Sequence, residues 1–193
     1  MNKYQKVAQQ VEKAYLACTE DFGKWMWKNH VPVVAQKAEE LSIKYGADSD
    51  LAVAGALLHD FGDAFMYRFA KNHEEVSQTK AREVLSKSGY SKSQIETVMQ
   101  EVIAPHSCRT GDELPRTKEA RVLATADALA HLTTDFYVQF TWKHIPEGKT
   151  YEEFLVWVTE KLDRDFNRKI FFDEVKEEVR YRYDALMEVF VTK

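Results

Sequence analysis

The sequence predicts an all-α fold, and three observations support that prediction. Apolar residues recur three and four positions apart through most of the chain, which is the spacing of one helix face. Two capping boxes, Ser91 with Gln94 and Thr150 with Glu153, mark places where helices begin. No segment shows the alternation of a strand, and no Asn-Gly or Asp-Gly pair marks a hairpin.

The N-terminal part predicts a helix over residues 3–19, another over 31–45 and a third that starts after Asp48 or Ser49. Gly46 ends the second helix, because glycine suits the left-handed position that follows a helix. Asp48 or Ser49 caps the third, since either side chain can accept a hydrogen bond from a free backbone N–H.

The middle of the chain predicts helices over residues 73–88 and 91–105, and Asn72 caps the first of them. A proline ends the second helix, because proline cannot continue the backbone hydrogen bonding. A loop over 107–116 follows, and then a helix over 117–133.

The composition predicts an ordinary globular protein in the reducing cytoplasm. Of 193 residues, 45% are hydrophobic and 30% are charged, so we expect one domain over 1–193. We expect its core at about 25–135, with aromatic-rich helices over 150–191 packed on it. The net charge of −4 argues against nucleic acid as the main partner. No signal peptide, no apolar run of ~18 residues and no zinc-type cysteine spacing is evident.

A His59-Asp60 doublet ends an apolar run over 51–58, which predicts a buried helix. A buried carboxylate is unfavourable by several kcal/mol, roughly, unless a cation or a metal ion neutralises it. Imidazole and carboxylate are ligands of Zn, Mn and Fe, so the doublet suits a metal site. The alternative is structural, with His59 bonded to a backbone carbonyl and Asp60 capping a nearby helix.

Asp127 is the second unusual residue, because almost all its neighbours over 122–130 are apolar. Its own helix carries no Lys or Arg three or four residues away. We therefore interpret Asp127 as a metal ligand that has no other partner for its charge. On this interpretation, Asp127→Ala destabilises the metal-free protein little or stabilises it. The alternative is an ion pair with a distant residue such as Arg82 or Arg121.

Further histidines lie at or near predicted helix ends: His30, His73, His106 and His131. For any one of them alone, a structural or surface role is the simpler interpretation. His131 lies one helical turn after Asp127 and suits a supporting position beside it. His144 falls in a predicted loop, and we assign it no role.

Taken together, these residues resemble the HD-domain superfamily of metal-dependent phosphohydrolases. The order that carries the likeness is His30, His59-Asp60, His73, His106 and Asp127. The string Ala-Leu-Leu-His-Asp-Phe-Gly at 56–62 is similar to the doublet helix of that family. The string Glu-Ala-Arg-Val-Leu-Ala-Thr-Ala-Asp-Ala at 119–128 is similar to its last helix. The likeness covers roughly 25–135 and is greatest to small stand-alone predicted hydrolases.

The resemblance implies one divalent metal ion held by His30, His59, Asp60 and Asp127. It also implies a second ion at His73 and His106, with Asp60 as the bridge. The metal is Mn, Fe, Zn, Ni, Co or Mg, and whether one or two ions bind stays open. Such a site works through a metal-bound hydroxide and needs no protein nucleophile.

One position departs from the resemblance. Many family members carry a lysine three residues after the doublet, where this chain has Asp63. Asp63 would orient a ligand histidine or act, like Asp60, as a catalytic acid or base. Other cations are then needed to bind a phosphate, and the candidates are Arg68, Lys71, Lys80 and Arg109. The alternative for each of these is an ordinary solvated side chain.

These features predict a metal-dependent phosphohydrolase of a small phosphorylated metabolite or nucleotide. We expect a small-molecule phosphate as its partner, with no nucleic acid and no membrane. Two alternatives stay open: a di-iron oxygenase of the same superfamily and a non-catalytic metal-binding or sensor module. Bound iron with oxygen-dependent turnover would favour the former, and a folded protein that holds no metal would favour the latter.

Overall fold

The computed structural model describes residues 2–144 and 150–191, although not the side chains of 141–144. Within those ranges every regular element is helical, so the all-α prediction is confirmed. The α-helices are α1 (Lys3–Leu16), α2 (Asp21–Asn29), α3 (Val31–Tyr45), α4 (Ser49–Leu58), α5 (His73–Lys87), α6 (Lys92–Glu96), α7 (Lys118–Thr133), α8 (Phe136–His144), α9 (Tyr151–Asn167) and α10 (Asp173–Phe190). A 3-10 turn covers Phe61–Ala64, and a π-helix over Thr97–Ile103 extends α6.

Several predicted helix ends are confirmed. At Ser91 and at Thr150 both hydrogen bonds of the capping box form. Asp48, not Ser49, caps α4, and its side chain accepts hydrogen bonds from backbone N–H groups of the first turn. Gly46 follows α3 with φ 64° and ψ 43°, a left-handed conformation that a Cβ would strain.

Other local predictions are wrong. The prediction omits α2 and α8, because both are dense in aromatic residues of modest helix propensity and α2 begins without a side-chain cap. Asn72 makes no capping hydrogen bond. His144 is the last residue of α8 and does not belong to a loop. The helical region predicted over 150–191 is interrupted at 168–172, between α9 and α10.

Helix α7 is the central element of the core. Every residue of α7 from 122 to 132 is buried, which fits a helix that is apolar on all faces. Helices α3 and α4 pack against it, and the π-helix, α8, α9 and α10 contact its other sides. The polar residues Asp127 and His131 therefore lie inside the protein, where each needs a polar partner.

Helix α4 is also buried on nearly every face, over residues 52–58. It lies between α1, α3, α7 and the π-helix. Because α4 ends inside the protein, His59 and Asp60 follow it into the interior. Although α4 is this apolar, no helix within the described residues has the length and apolar character that a bilayer span requires.

The close approach of α4 to the π-helix depends on Gly55. A Cβ built on Gly55 would lie 2.7 Å from Cγ1 of Val102, which is closer than carbon atoms pack. Val102 is completely buried, so it has little room to move aside. Gly55 thus sets the spacing between the helix that precedes His59 and the segment that leads to His106.

We expect Gly55→Ala to lower the free energy of unfolding by about 1–3 kcal/mol, because overpacking a rigid core outweighs the helix propensity of alanine. In a Val102→Ala background the same change should be less destabilising, because the vacated space accepts the methyl group. Urea unfolding of the four proteins measures this coupling. An equal effect of Gly55→Ala in both backgrounds would contradict the close contact.

Candidate metal centre

Three separate elements bring His30, His59 and Asp127 together. His30 lies at the junction of α2 and α3, where its φ of −129° and ψ of −67° break the helix and turn the chain. His59 directly follows α4, and Asp127 lies in the middle of α7. All three are buried, with 1%, 7% and 3% of their surface exposed.

The donor atoms of these residues converge on one point. His30 Nε2 lies 3.2 Å from His59 Nε2 and 3.2 Å from Asp127 Oδ1. His59 Nε2 lies 3.8 Å from the same carboxylate oxygen. One donor atom from each residue lies within 4.8 Å of the others, so the three could hold a single metal ion.

The local hydrogen bonding also fits a metal ion. His59 Nδ1 lies 2.8 Å from the carbonyl oxygen of Ala56, so Nδ1–H donates there and Nε2 keeps its lone pair for the site. Burial lowers the pKa of His30, and the nearby carboxylate of Asp127 reverses only part of this decrease. The imidazole of His30 is therefore neutral at pH 7. Asp127 Oδ1 is buried and accepts no hydrogen bond within the part of the chain that the structure describes. A bound cation would satisfy this oxygen.

The other carboxylate oxygen of Asp127 pairs with Lys169, from the segment after α9. The prediction that Asp127 has no cation partner is therefore wrong. An ion pair with a distant residue does form, but the partner is Lys169 and not Arg82 or Arg121. Burial raises the pKa of Asp127, but its interactions with His131 and Lys169 outweigh the effect of burial, and the net pKa lies well below the usual value. Asp127 is thus ionised with one oxygen neutralised and one facing the imidazoles.

A buried polar network supports this arrangement from behind. His131 Nε2 lies 3.2 Å from Asp127 Oδ1, and His131 Nδ1 lies 2.8 Å from Asp165 Oδ2. Asp165 also pairs with Lys161 at 3.1 Å and accepts a hydrogen bond from Tyr137 at 2.5 Å. The supporting position predicted for His131 agrees with these contacts.

Sequence reasoning did not find three members of this network, namely Lys161, Asp165 and Lys169. Their four-residue spacing is a usable signal. It places Lys161 and Asp165 on the same side of α9 as buried Leu162 and Phe166, and Lys169 follows just after the helix ends. Charged residues on an apolar face need partners, so this pattern indicates a buried ion-pair network.

Asp60 and Asp63 belong to a second cluster, centred on Arg68. Arg68 Nη2 donates to both oxygens of Asp60, at 3.0 and 3.1 Å, and Nη1 donates to Asp63. His73 Nε2 lies 2.9 Å from Asp63 Oδ1, which agrees with the predicted role of Asp63 in orienting a histidine. Asp60 Oδ2 is 3.4 Å from His59 Nε2, so the two clusters are adjacent.

His106 approaches the centre from the far end of the π-helix. Its ring centroid is 5.3 Å from that of His59. His106 Nδ1 lies 2.6 Å from the carbonyl oxygen of Ile103 and donates there, which leaves Nε2 with a lone pair. Burial lowers the pKa of His106 to about 4, so the imidazole is neutral at pH 7. A second ion at Asp60, His73 and His106 stays a prediction, because the structure places His73 on Asp63.

The centre opens into a cavity of about 700 Å³. Most of the aromatic part of its wall comes from α8 and α9, namely Phe136, Phe140, Phe154 and Trp157, and Phe69 adds to it. Its basic side chains are Arg68, Arg109, Lys161, Arg164 and Lys169. Two other predicted phosphate-binding residues lie outside it, since Lys71 is an exposed surface residue and Lys80 pairs with Glu83 at 3.2 Å. Phosphate binding by Arg68 and Arg109 stays a prediction.

The chain belongs to the HD-domain family, whose model matches residues 28–132. That range contains His30, the doublet and Asp127, and it ends before α8. A curated relative, the Ribonuclease Y of Fervidobacterium nodosum, is 36% identical over 101 residues. The aligned part is 52% of this chain but only 17% of that protein, so the likeness is confined to one part of it. No solved structure matches the chain.

The buried histidines make the metal-free protein sensitive to acid. Burial lowers the pKa of His106 to about 4 and that of His131 to about 3, from 6.5 in each case. Below pH 6.5 the unfolded chain binds protons that the folded protein does not, so stability present above that pH is lost as the pH falls. We expect each residue to lower the free energy of unfolding by about 1.4 kcal/mol between pH 7.5 and 5.5.

Urea unfolding in the presence of a chelator at both pH values measures this loss. His106→Asn is the matched control, because it removes one of the two titrating groups and should remove its share of the pH dependence. A wild-type free energy of unfolding that is equal at both pH values would contradict the burial of neutral imidazoles.

We expect Asp127→Ala to lower the free energy of unfolding of the metal-free protein by about 3–5 kcal/mol, because it leaves Lys169 without its main partner. Adding Lys169→Met should restore part of that loss, since no unpaired buried ammonium remains. Urea unfolding with chelator compares the two variants. Wild-type stability in Asp127→Ala alone would show that the ion pair is unimportant.

Proposed function

We propose that the protein is a metal-dependent phosphohydrolase that acts on a small phosphorylated metabolite or nucleotide. The observation that carries the proposal is the convergence of His30, His59 and Asp127 beside a cavity whose wall includes Arg109 and Arg164. Membership of the HD-domain family supports it. The metal identity stays open among Mn, Fe, Zn, Ni, Co and Mg.

The metal ligands are proposed to be His30, His59 and Asp127, with Asp60 next to them. A bound divalent ion lowers the pKa of water and offsets negative charge on a phosphoryl oxygen. The protein's own part is to hold the donors in place: Ala56 orients His59, and His131 with Lys169 orients Asp127.

The phosphate is proposed to bind the guanidinium groups of Arg109 and Arg164. Both line the cavity, and neither forms an ion pair with a carboxylate within the described residues. Arginine suits this task, because its planar fork matches two phosphate oxygens and stays charged at every relevant pH. Lys161 is less available, since it pairs with buried Asp165.

Asp60 and Asp63 are proposed to differ in role. Burial raises the pKa of Asp60, but Arg68 and His59 outweigh it, and the net pKa lies below the usual value. Asp60 is therefore ionised at neutral pH. Because a lowered pKa makes a carboxylate a weaker base, Asp60 suits holding a cation more than accepting a proton. Asp63 has none of its side chain exposed and contacts Arg68 and His73, so it suits positioning these side chains.

The organic part of the substrate is proposed to pack on the aromatic wall. Phe140 and Trp157 stack with ring centroids 5.3 Å apart, which gives an apolar surface opposite the metal centre. A cavity of this volume suits a small ligand, and the net charge of −4 does not favour a polyanion. Because the Ribonuclease Y likeness covers 17% of that protein, we do not extend its named activity to this chain.

The test uses protein purified without a chelator or an affinity metal. Phosphate release is measured with nucleoside monophosphates, sugar phosphates and p-nitrophenyl phosphate in the presence of Mn, Co, Ni, Mg, Zn or Fe. We expect metal-dependent release that falls at least about 100-fold in His59→Ala, because that variant loses a direct ligand. Lys87→Ala, an exposed surface change on α5, is the matched control and should retain the wild-type rate.

Other outcomes would replace the proposal. Oxygen uptake with bound iron and no phosphate release would make the protein an oxygenase. Cleavage of an RNA oligonucleotide without turnover of small phosphates would make the substrate a nucleic acid and not a small metabolite. Failure to bind any of the metals, with no turnover, would leave a non-catalytic module.

A further inference from the structure

We propose that this centre holds one metal ion and that the guanidinium of Arg68 takes the place of a second. The inference rests on the proposed function only for the first ion, at His30, His59 and Asp127. The resemblance to the HD-domain superfamily places a second ion at Asp60, His73 and His106. In this chain the side chains around that position bind one another: Arg68 contacts Asp60, and His73 contacts Asp63.

The contacts of Arg68 resemble those of a cation bound between carboxylates. Its Nη2 lies 3.0 and 3.1 Å from the two oxygens of Asp60, and Nη1 donates to Asp63. The guanidinium thus bridges two carboxylates with separate nitrogens of its fork. Packing of the guanidinium on the ring of Phe22, 5.6 Å from its centroid, holds it further.

The proposed ligands of a second ion have other partners. His73 Nε2, the atom that would bind a metal, lies 2.9 Å from Asp63 Oδ1. Both oxygens of Asp60 accept hydrogen bonds from Arg68. Only His106 keeps a free ring nitrogen, because its Nδ1 is bonded to Ile103. A second ion would have to displace the guanidinium of Arg68 and separate His73 from Asp63.

Charge and position suit Arg68 to the role. It is the cation closest to Asp60, it lines the cavity, and 30% of its side chain is exposed. Unlike a metal ion it cannot be lost from the site, and unlike lysine it can bridge two carboxylates with separate nitrogens of one planar group. A fixed positive charge beside the first ion would stabilise negative charge that develops on a phosphoryl group.

The experiment counts metal equivalents per chain by elemental analysis of the 193-residue protein, after saturation with Mn and removal of free ion. We expect about one equivalent in the wild type, none in His59→Ala and still one in His73→Ala. Arg68→Ala should bind about two equivalents, because Asp60 loses its partner and a second ion can then compete with Asp63 for His73. The double variant Arg68→Ala/His73→Ala should return to one.

Arg109→Ala is the matched control. It removes another arginine of the cavity wall, but one without a carboxylate partner, so it should keep one equivalent. If Arg68→Ala fails to fold, Arg68→Lys replaces it, because lysine keeps the charge without the bridging fork. The His73→Ala result in the wild-type background does not depend on either arginine variant.

Two equivalents in the wild type that fall to one in His73→Ala would overturn this inference and leave the proposed function intact. One equivalent in both the wild type and Arg68→Ala would also overturn it, because Arg68 would not be what excludes the second ion. Binding of no metal by the wild type would overturn both proposals.

Discussion

The buried, ionised carboxylate of Asp127 is the constraint on which the rest of the centre depends. It lies on a helix whose surroundings are apolar, so its charge must be neutralised by groups from elsewhere in the fold. Lys169 neutralises one oxygen, while the imidazoles of His30, His59 and His131 surround the other. The helices that carry these groups must pack on α7 for the charge to be tolerated, so the metal centre and the core form together.

The site divides its charge between two carboxylate clusters. In one, an oxygen of Asp127 faces the imidazoles of His30, His59 and His131, and together these side chains offer the donor types of a metal site. In the other, Arg68 satisfies both Asp60 and Asp63. The charge of Asp63 is thus balanced by a cation five residues later in the chain. The proposal of a single metal ion rests on this division.

The segment beyond the family match contributes much of the site. The match ends at residue 132, whereas the aromatic wall and Lys161, Arg164 and Lys169 all follow it. These residues decide the size, polarity and charge of the cavity. The family match therefore covers the part of the chain that carries His30, His59 and Asp127, whereas much of the cavity wall lies in α8, α9 and the segment after α9.

The sequence by itself determined the helices that carry strong local signals and the residue types of the centre. The caps at Asp48, Ser91 and Thr150 act within one turn, so they are readable from neighbouring residues. It did not reveal α2 and α8, which lack such signals and depend on the packing of their aromatic residues.

Only the tertiary structure decided how the buried charges are paired. Lys169 is 42 residues from Asp127, and Arg68 could equally have faced solvent or a phosphate. No local pattern encodes such a pairing, because an ion pair between distant segments is chosen by how the helices pack and by the unfavourable free energy of leaving a buried charge alone. For the same physical reason, the ligand types were predictable from the sequence, while the partner of each carboxylate was not.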